Sequence, residues 1–256
     1  MRGDSGPAPM ALEVTHRRVV RLLAERMTSG RVLDCGAGRG ALSWRLRREI
    51  PGLDITACDC MPEYFEVEGV PCVRADLDDS LPFGDASFDA VCAVEVVEHL
   101  ENRFRFFREA FRVLKPGGFL VLTTPNIANL ASRLRFLLSS FYTLFRPLDE
   151  DRPDPLHGHI TPLPWYYYRY SLVRSGFVIE RTVTDRWKKG ALAFLWLWPA
   201  IYAYSAFTLR REREPRRRRE NLRLLPTLTG MDLLCGRTLV ILARKPEAAG
   251  ENSRNC

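Results

Sequence analysis

The sequence predicts an α/β fold on a mostly parallel sheet, and three observations carry that prediction. Short apolar runs such as "RVLDC" (31–35) alternate with amphipathic segments up to about residue 125. Strands alternating with helices imply a parallel sheet wound by right-handed crossovers. A glycine run, "GAGRG", sits at the first strand-to-helix joint. The third observation is bulk: 256 residues, 46% hydrophobic and 27% charged, suffice for one domain with insertions.

The elements follow in order. Residues 1–10 read as a loose tail. Residues 11–28 carry Leu12, Val19, Val20, Leu22, Leu23 and Met27 at helical spacing. "RVLDC" is a buried strand, and "ALSWRLRREI" is a helix beginning at about Gly40 and closed by Pro51-Gly52. "LDITACD", "PCVRAD" and "SFDAVCAVEVV" are the second to fourth strands. "RFRFFREAFRVL" is an amphipathic helix stopped by "KPGG", and "FLVLTTP" is the fifth strand. Regularity then breaks. Residues 126–160 are an insertion with the apolar stretch "LRFLLSSFYTLF". "PLPWYYYRYSLVRSGF" is a helix closed near Gly176 and leads into the strand "FVIERTV". Residues 186–233 are a second insertion, and "GRTLVILARK" is a last strand.

Glycine at positions 36, 38 and 40 permits a tight turn and close approach of a ligand to backbone. Gly36, Gly38 and Ala41 also satisfy the dinucleotide pattern G-x-G-x-x-G/A, so the loop alone does not name a ligand. Asp34 separates the readings. A pyrophosphate at the following helix N-terminus would be repelled by a neighbouring carboxylate, whereas S-adenosylmethionine is cationic at its sulfonium and ammonium. Asp34 can also serve by capping backbone N–H groups. Asp59, with Cys60 beside it, ends the second strand downstream of the glycines and can accept both ribose hydroxyls. Asp76 follows the third strand, where it can accept from an adenine amino group with Leu77 against the ring. It can equally cap its own acidic turn, "DLDD".

With these residues in view, the chain resembles the class I S-adenosylmethionine-dependent methyltransferases, most of all the branch with small-molecule and quinone-type enzymes. The matching stretches are "VLDCGAGRG", the acid of "ACD", "ADLDDSLPFGDASFDAVCAVEVVEHL", "AFRVLKPGGFLVLTTPN", "SLVRSGFVIE" and "GRTLVILARK". They cover residues 28–125 well and 162–245 loosely. The resemblance implies a single domain with a Rossmann-like, seven-stranded, mostly parallel sheet, helices on both faces, and a final antiparallel strand inserted beside the sixth. It also implies S-adenosyl-L-methionine as cofactor.

Methyl transfer needs alignment and desolvation, and a hydroxyl acceptor needs its proton removed. His99, just past the fourth strand, is the expected base or acceptor-positioning group. Glu95, at the strand end, is expected to touch the cofactor's methionine part or the acceptor. His157 and His159, in "PLHGHITPLPW", are expected to face the acceptor. H-x-H could hint at metal with Glu95 or Glu98, but no further ligand cluster stands at ordinary spacing, so no metal is expected. The acceptor is expected to be a small or lipid-like molecule methylated at oxygen. A non-catalytic binding module and a nicotinamide-dependent oxidoreductase are the rival readings. The intact glycine loop and acids oppose the first, and Asp34 with the later motifs opposes the second.

Seven scattered cysteines without a CxxC pair read as small core hydrophobes, which predicts a reducing, cytoplasmic setting. The net charge of +7 gathers near the second insertion. The stretch from Ala191 to Leu209 carries no charge and stands at the length threshold of a membrane span. A single crossing is excluded, because the flanking strands must join one sheet. Trp196, Trp198, Tyr202 and Tyr204, followed by Arg210, Arg211, Arg213 and Arg216 to Arg219, suit an anionic membrane surface. A lid over the acceptor pocket is the alternative for 191–219. Nucleic acid is not expected, because no recognition module accompanies the arginines.

Overall fold

A computed structural model describes residues 6–7, 11, 13–151 and 158–247. The strands are β1 (Ser29–Cys35), β2 (Gly52–Asp59), β3 (Cys72–Arg74), β4 (Phe88–Val94), β5 (Leu114–Pro125), β6 (Val178–Thr184) and β7 (Thr238–Arg244). They form one sheet in the order β3-β2-β1-β4-β5-β7-β6. The pairs β1–β2, β1–β4, β2–β3 and β4–β5 are parallel, and β7 runs antiparallel to both neighbours, between β5 and β6. This is the sheet the resemblance implied.

Helices cover both faces. α1 (Glu13–Ala24) and α2 (Ala41–Glu49) set Val19, Val20, Leu23, Leu42 and Leu46 against Val32, Ala90, Cys92 and Val121. α3 (Arg103–Val113) sets Phe106, Phe107 and Ala110 against Leu33, Val91 and Leu120 on the other face. Val32 and Leu33 belong to opposite layers, as the two-residue repeat of a strand requires. β5 starts earlier than the sequence predicts. It leaves α3 directly at Leu114, and the register jumps from Phe88↔Leu114 to Ala90↔Phe119. The "KPGG" turn thus bulges out of a strand that continues on both sides of it.

α4 (Leu130–Ser139) lies in the first insertion, and α5 (Trp165–Arg174) follows it, ending at Gly176 with φ 100°. The second insertion holds α6 (Lys189–Leu192), α7 (Trp198–Arg210), α8 (Pro215–Leu222), α9 (Leu225–Leu228) and α10 (Met231–Cys235). The uncharged stretch is therefore broken up. No helix among the described residues is long and apolar enough to cross a membrane.

Asn126 fastens this insertion to the sheet. Its side-chain amide donates to the carbonyls of Leu233 (2.8 Å) and Gly236 (3.0 Å), and its oxygen accepts from the Ala128 amide (3.0 Å), with Asn126 itself buried. Replacing Asn126 with Ala orphans these groups, at about 1–3 kcal/mol for each one left unpaired. Urea unfolding of Asn126→Ala should therefore show a midpoint well below that of the parent chain.

Candidate functional site

The chain order runs outward from β1 to β3 on one side and from β4 to β5 on the other. A crevice must open where the order reverses, past the C-terminal ends of β1 and β4. A cavity of about 920 Å³ lies there. Its wall includes Asp34, Gly36 and Gly38 from the first joint, Asp59 and Cys60 after β2, Asp76 and Leu77 after β3, and Glu95, His99 and His159 at the far end. Gly40 closes the same loop with φ 90°. His157 lies outside the described residues. The other expected site residues, Gly40 apart, all line this one cavity.

The loop is built by backbone bonds to β2. The Gly36 and Ala37 amides donate to the Cys58 carbonyl (2.8 and 3.2 Å), and the Gly38 amide donates to Asp59 Oδ2 (2.8 Å). Asp59 Oδ1 accepts from the Met61 amide at 2.9 Å and faces the Cys60 thiol at 3.5 Å. At Gly36, φ is +67°, and a Cβ would stand 2.4 Å from Val96 Cγ2. The lack of a side chain there serves packing against the β4 loop as much as ligand approach. Asp76 is exposed and accepts from the Asp78 amide (2.9 Å), so it does cap its own turn while bordering the cavity. Leu77 is buried beside it.

Asp34 is only 2% exposed. Its Oδ2 accepts from the Ser43 hydroxyl at 2.6 Å, and the Ser43 backbone also bonds it. The capping role is therefore realised: the N-terminal turn of α2, the place where a pyrophosphate would dock, is already served by a carboxylate of the protein. The charged side chains on the wall support the same discrimination. They are mainly acids, and the cation Arg39 is ion-paired with Glu66. Such a wall fits a cationic nucleoside.

Glu95 holds a left-handed backbone, φ 54°, unusual for a residue with a side chain. Its amide donates to Thr123 Oγ1 (2.9 Å) and its carboxyl accepts from Thr238 Oγ1 (3.4 Å), which steadies the turn after β4. Burial raises its carboxyl, and Arg237 opposes this in part. Glu98, a turn later, is 0% exposed; burial first and Glu95 next push its carboxyl well up. His99 Nδ1 lies 2.9 Å from the Gly158 carbonyl, and its ring meets that of His159 edge to face, centroids 4.9 Å apart. His159 Nδ1 lies 2.8 Å from the Leu144 carbonyl, and burial lowers its pKa. Among the described residues, Glu98, His99 and His159 form one group able to hold a metal ion. The sequence raised H-x-H with Glu95 or Glu98 but offered no ligand cluster at ordinary spacing, because His159 arrives from a loop beyond α3, β5 and α4. His16 of α1 also lines the wall; burial takes it down to about 4, so it is neutral at pH 7. Nothing in its helical spacing separates it from a core residue.

Burial lifts Asp34 from its ordinary 3.8 to about 7. A raised folded-state value means that the group's stabilising share is complete below about pH 4 and is lost as pH rises through 7. Asp34→Asn removes that titration. The stability difference, parent minus variant, should fall steadily from pH 4 to pH 7 in urea titrations. A flat difference would show that Asp34 titrates normally.

Comparison with known proteins agrees with this geometry. Residues 33–122 match a family model described as a methyltransferase domain. A protein of Mycolicibacterium smegmatis named a probable S-adenosylmethionine-dependent methyltransferase is 35% identical over 134 residues, which is 50% of this chain and 51% of that one. A ubiquinone biosynthesis O-methyltransferase of Xanthomonas oryzae pv. oryzae is 36% identical over 109 residues, 39% of this chain and 45% of that one. The chain thus spans about half the length of the curated relatives it matches. In fold it is similar to the crystal structure of a SAM-dependent methyltransferase from Archaeoglobus fulgidus. That likeness has a TM-score of 0.57 at 20% identity and covers 91% of this chain and 94% of that one. With its glycine loop, strand-end acids and inserted antiparallel strand, the chain is similar to the class I S-adenosylmethionine-dependent methyltransferases, and the family match itself lies over residues 33–122.

Proposed function

We propose that the chain transfers the methyl group of S-adenosylmethionine to an oxygen of a small, lipid-like acceptor that it meets at an anionic membrane surface. The observation that carries the first part is the cavity at the reversal of strand order, with Asp59 and Asp76 on its wall and Asp34 occupying the α2 N-terminus. The cofactor supplies an already activated methyl group. The protein's share is to hold, align and exclude water. Asp59 would take the ribose and Asp76 with Leu77 the adenine. Glu95 would stand by the methionine part. His99 and His159 occupy the acceptor end, with His99 as the base or positioning group. Oxygen as the methylated atom is supported by the printed name of the Xanthomonas relative.

The membrane part rests on what the insertions expose. Leu137 (79%) and Leu138 (77%) on α4, and Trp196 (73%), Tyr204 (73%) and Phe207 (57%) in and before α7, face solvent. No residue of 191–219 lines the cavity, which does not support the lid reading. Arg210, Arg211, Arg213 and Arg216 to Arg219 follow the aromatic helix directly. Aromatic side chains beside a basic cluster complement an anionic lipid surface.

Calorimetry tests the first part. S-adenosylmethionine should bind saturably and NAD should not. Asp59→Ala should weaken binding by about 1.5–3 kcal/mol, the worth of charge-assisted bonds to the ribose. NAD binding without any response to S-adenosylmethionine would refute it.

Flotation with phosphatidylserine-containing vesicles at low and high salt tests the second. Binding should fall with salt, because each arginine near the surface is worth about 1 kcal/mol and is screened. Changing Arg216 to Arg219 to Gln should remove the salt-sensitive part. Changing Trp196 and Trp198 to Ser should remove the remainder. No flotation at low salt would end the membrane reading.

A further inference from the structure

Glu98 is completely buried, and neither of its carboxyl oxygens makes a hydrogen bond of full geometry. The neighbouring Thr124 hydroxyl, which also reaches Tyr168 Oη at 3.2 Å, and the Glu98 backbone lower the carboxyl only in part against its burial. A buried acid left in that state is costly, and folded proteins usually offset it with a counter-charge or a metal. What faces it is a pair of imidazoles. A carboxyl oxygen of Glu98 and one ring nitrogen each of His99 and His159 lie within 4.8 Å of one another.

This meeting is built by the backbone. The amides of Ile160 and Thr161 both donate to the Glu98 carbonyl at 3.0 Å, which pins the His159 loop onto the turn after β4. Thr161 Oγ1 adds a bond to the Leu100 carbonyl at 2.8 Å. Each histidine then places Nδ1 on a backbone carbonyl, of Gly158 for His99 and of Leu144 for His159. A carbonyl only accepts, so each Nδ1 carries the ring proton and each Nε2 the lone pair. Metal-binding imidazoles are held in this way, with the outer nitrogen donating to a carbonyl.

We infer that Glu98, His99 and His159 bind a divalent transition-metal ion of the zinc class at the acceptor end of the cavity. Two imidazoles and one carboxylate suit such an ion, whereas magnesium and calcium prefer all-oxygen shells. Bonds of about 2.1 Å in a tetrahedral shell put ligands roughly 3.4 Å apart, so a group already within 4.8 Å closes by at most about 1.4 Å on binding. Three protein ligands leave an open position, and His99 and His159 both line the cavity, so that position is reached from the acceptor side. The role deepens the methyl-transfer reading and rests on it, with His99 as a positioning group and not the base. The ion would take the acceptor's oxygen and acidify its hydroxyl, whose proton passes to solvent. Binding of the ion does not depend on that reading.

The test uses the full chain, stripped with chelator and free of S-adenosylmethionine, titrated with Co²⁺ and then Zn²⁺. One equivalent of Co²⁺ should bind with visible bands of nitrogen–oxygen coordination, and Zn²⁺ should displace it. Glu98→Gln and His159→Asn should each abolish the bands. Each should also weaken binding by more than the roughly 10–100-fold that loss of an outer-shell partner costs. Metal-free Glu98→Gln loses a buried acid without a counter-charge, so it should melt no lower than the parent chain. His159→Asn, in a surface loop, keeps the result decisive if the buried change perturbs folding. Calorimetry with S-adenosylmethionine on the same metal-free samples reports on the cofactor separately. No Co²⁺ binding by the parent chain, or bands retained in either variant, overturns the proposal.

Discussion

The hydrogen bond from the Gly38 amide to the Asp59 carboxylate joins the loop after β1 to the end of β2, and the cavity depends on it. Two strand ends in a parallel sheet need not hold each other beyond their ladder. Here one acid accepts from the glycine loop with one oxygen and from the Met61 amide with the other. The loop thereby takes a shape that only glycine tolerates at Gly36, where Val96 leaves no room for a Cβ. The remaining lone pairs of Asp59 are directed by bonds already made. Preorganisation of this kind lowers what a ligand must spend on ordering the site.

Electrostatics of the strand ends follow from the same packing. Asp34, Glu95 and Glu98 lie on or just behind one edge of the sheet, and burial raises all three carboxyls. Each is treated differently by its surroundings. Asp34 has the Ser43 hydroxyl and a helix N-terminus, Glu95 has Thr238 and the field of Arg237, and Glu98 has two histidines opposite it. A graded set of acids along the cavity gives its two ends different chemistry. The glycine-loop end suits a cationic nucleoside, and the histidine end gathers groups able to exchange a proton or hold an ion.

The described residues of the insertions leave the glycine-loop end of the cavity alone. They are attached to the sheet through Asn126 and the α10–β7 turn, and their exposed aromatic residues stand apart from the wall of the site. Among the described residues, only the loop carrying His159 reaches back to it. The two insertions can therefore vary in what they meet outside the fold without disturbing the glycine loop.

Much of this was legible in the sequence because it is local. Strand and helix follow from side-chain period, and an acid or glycine at a strand end keeps its place whatever packs around it. Thus β1 to β4, α2, the loop of Gly36 to Gly40, Asp59 and Asp76 could be read residue by residue. The order of the last strands came from resemblance. Tertiary structure alone decided the rest. The start of β5 at Leu114 depends on pairing with Phe88, which overrides the turn signal of "KPGG". Whether residues 191–209 faced a cavity or solvent could not follow from apolarity, which is the same for a lid and for an exposed face. The approach of His159 to Glu98 and His99 depends on the bonds from the Ile160 and Thr161 amides to the Glu98 carbonyl, between segments far apart in the chain. Contacts of that span leave no period or spacing in the chain, because they are fixed by where the sheet delivers each loop.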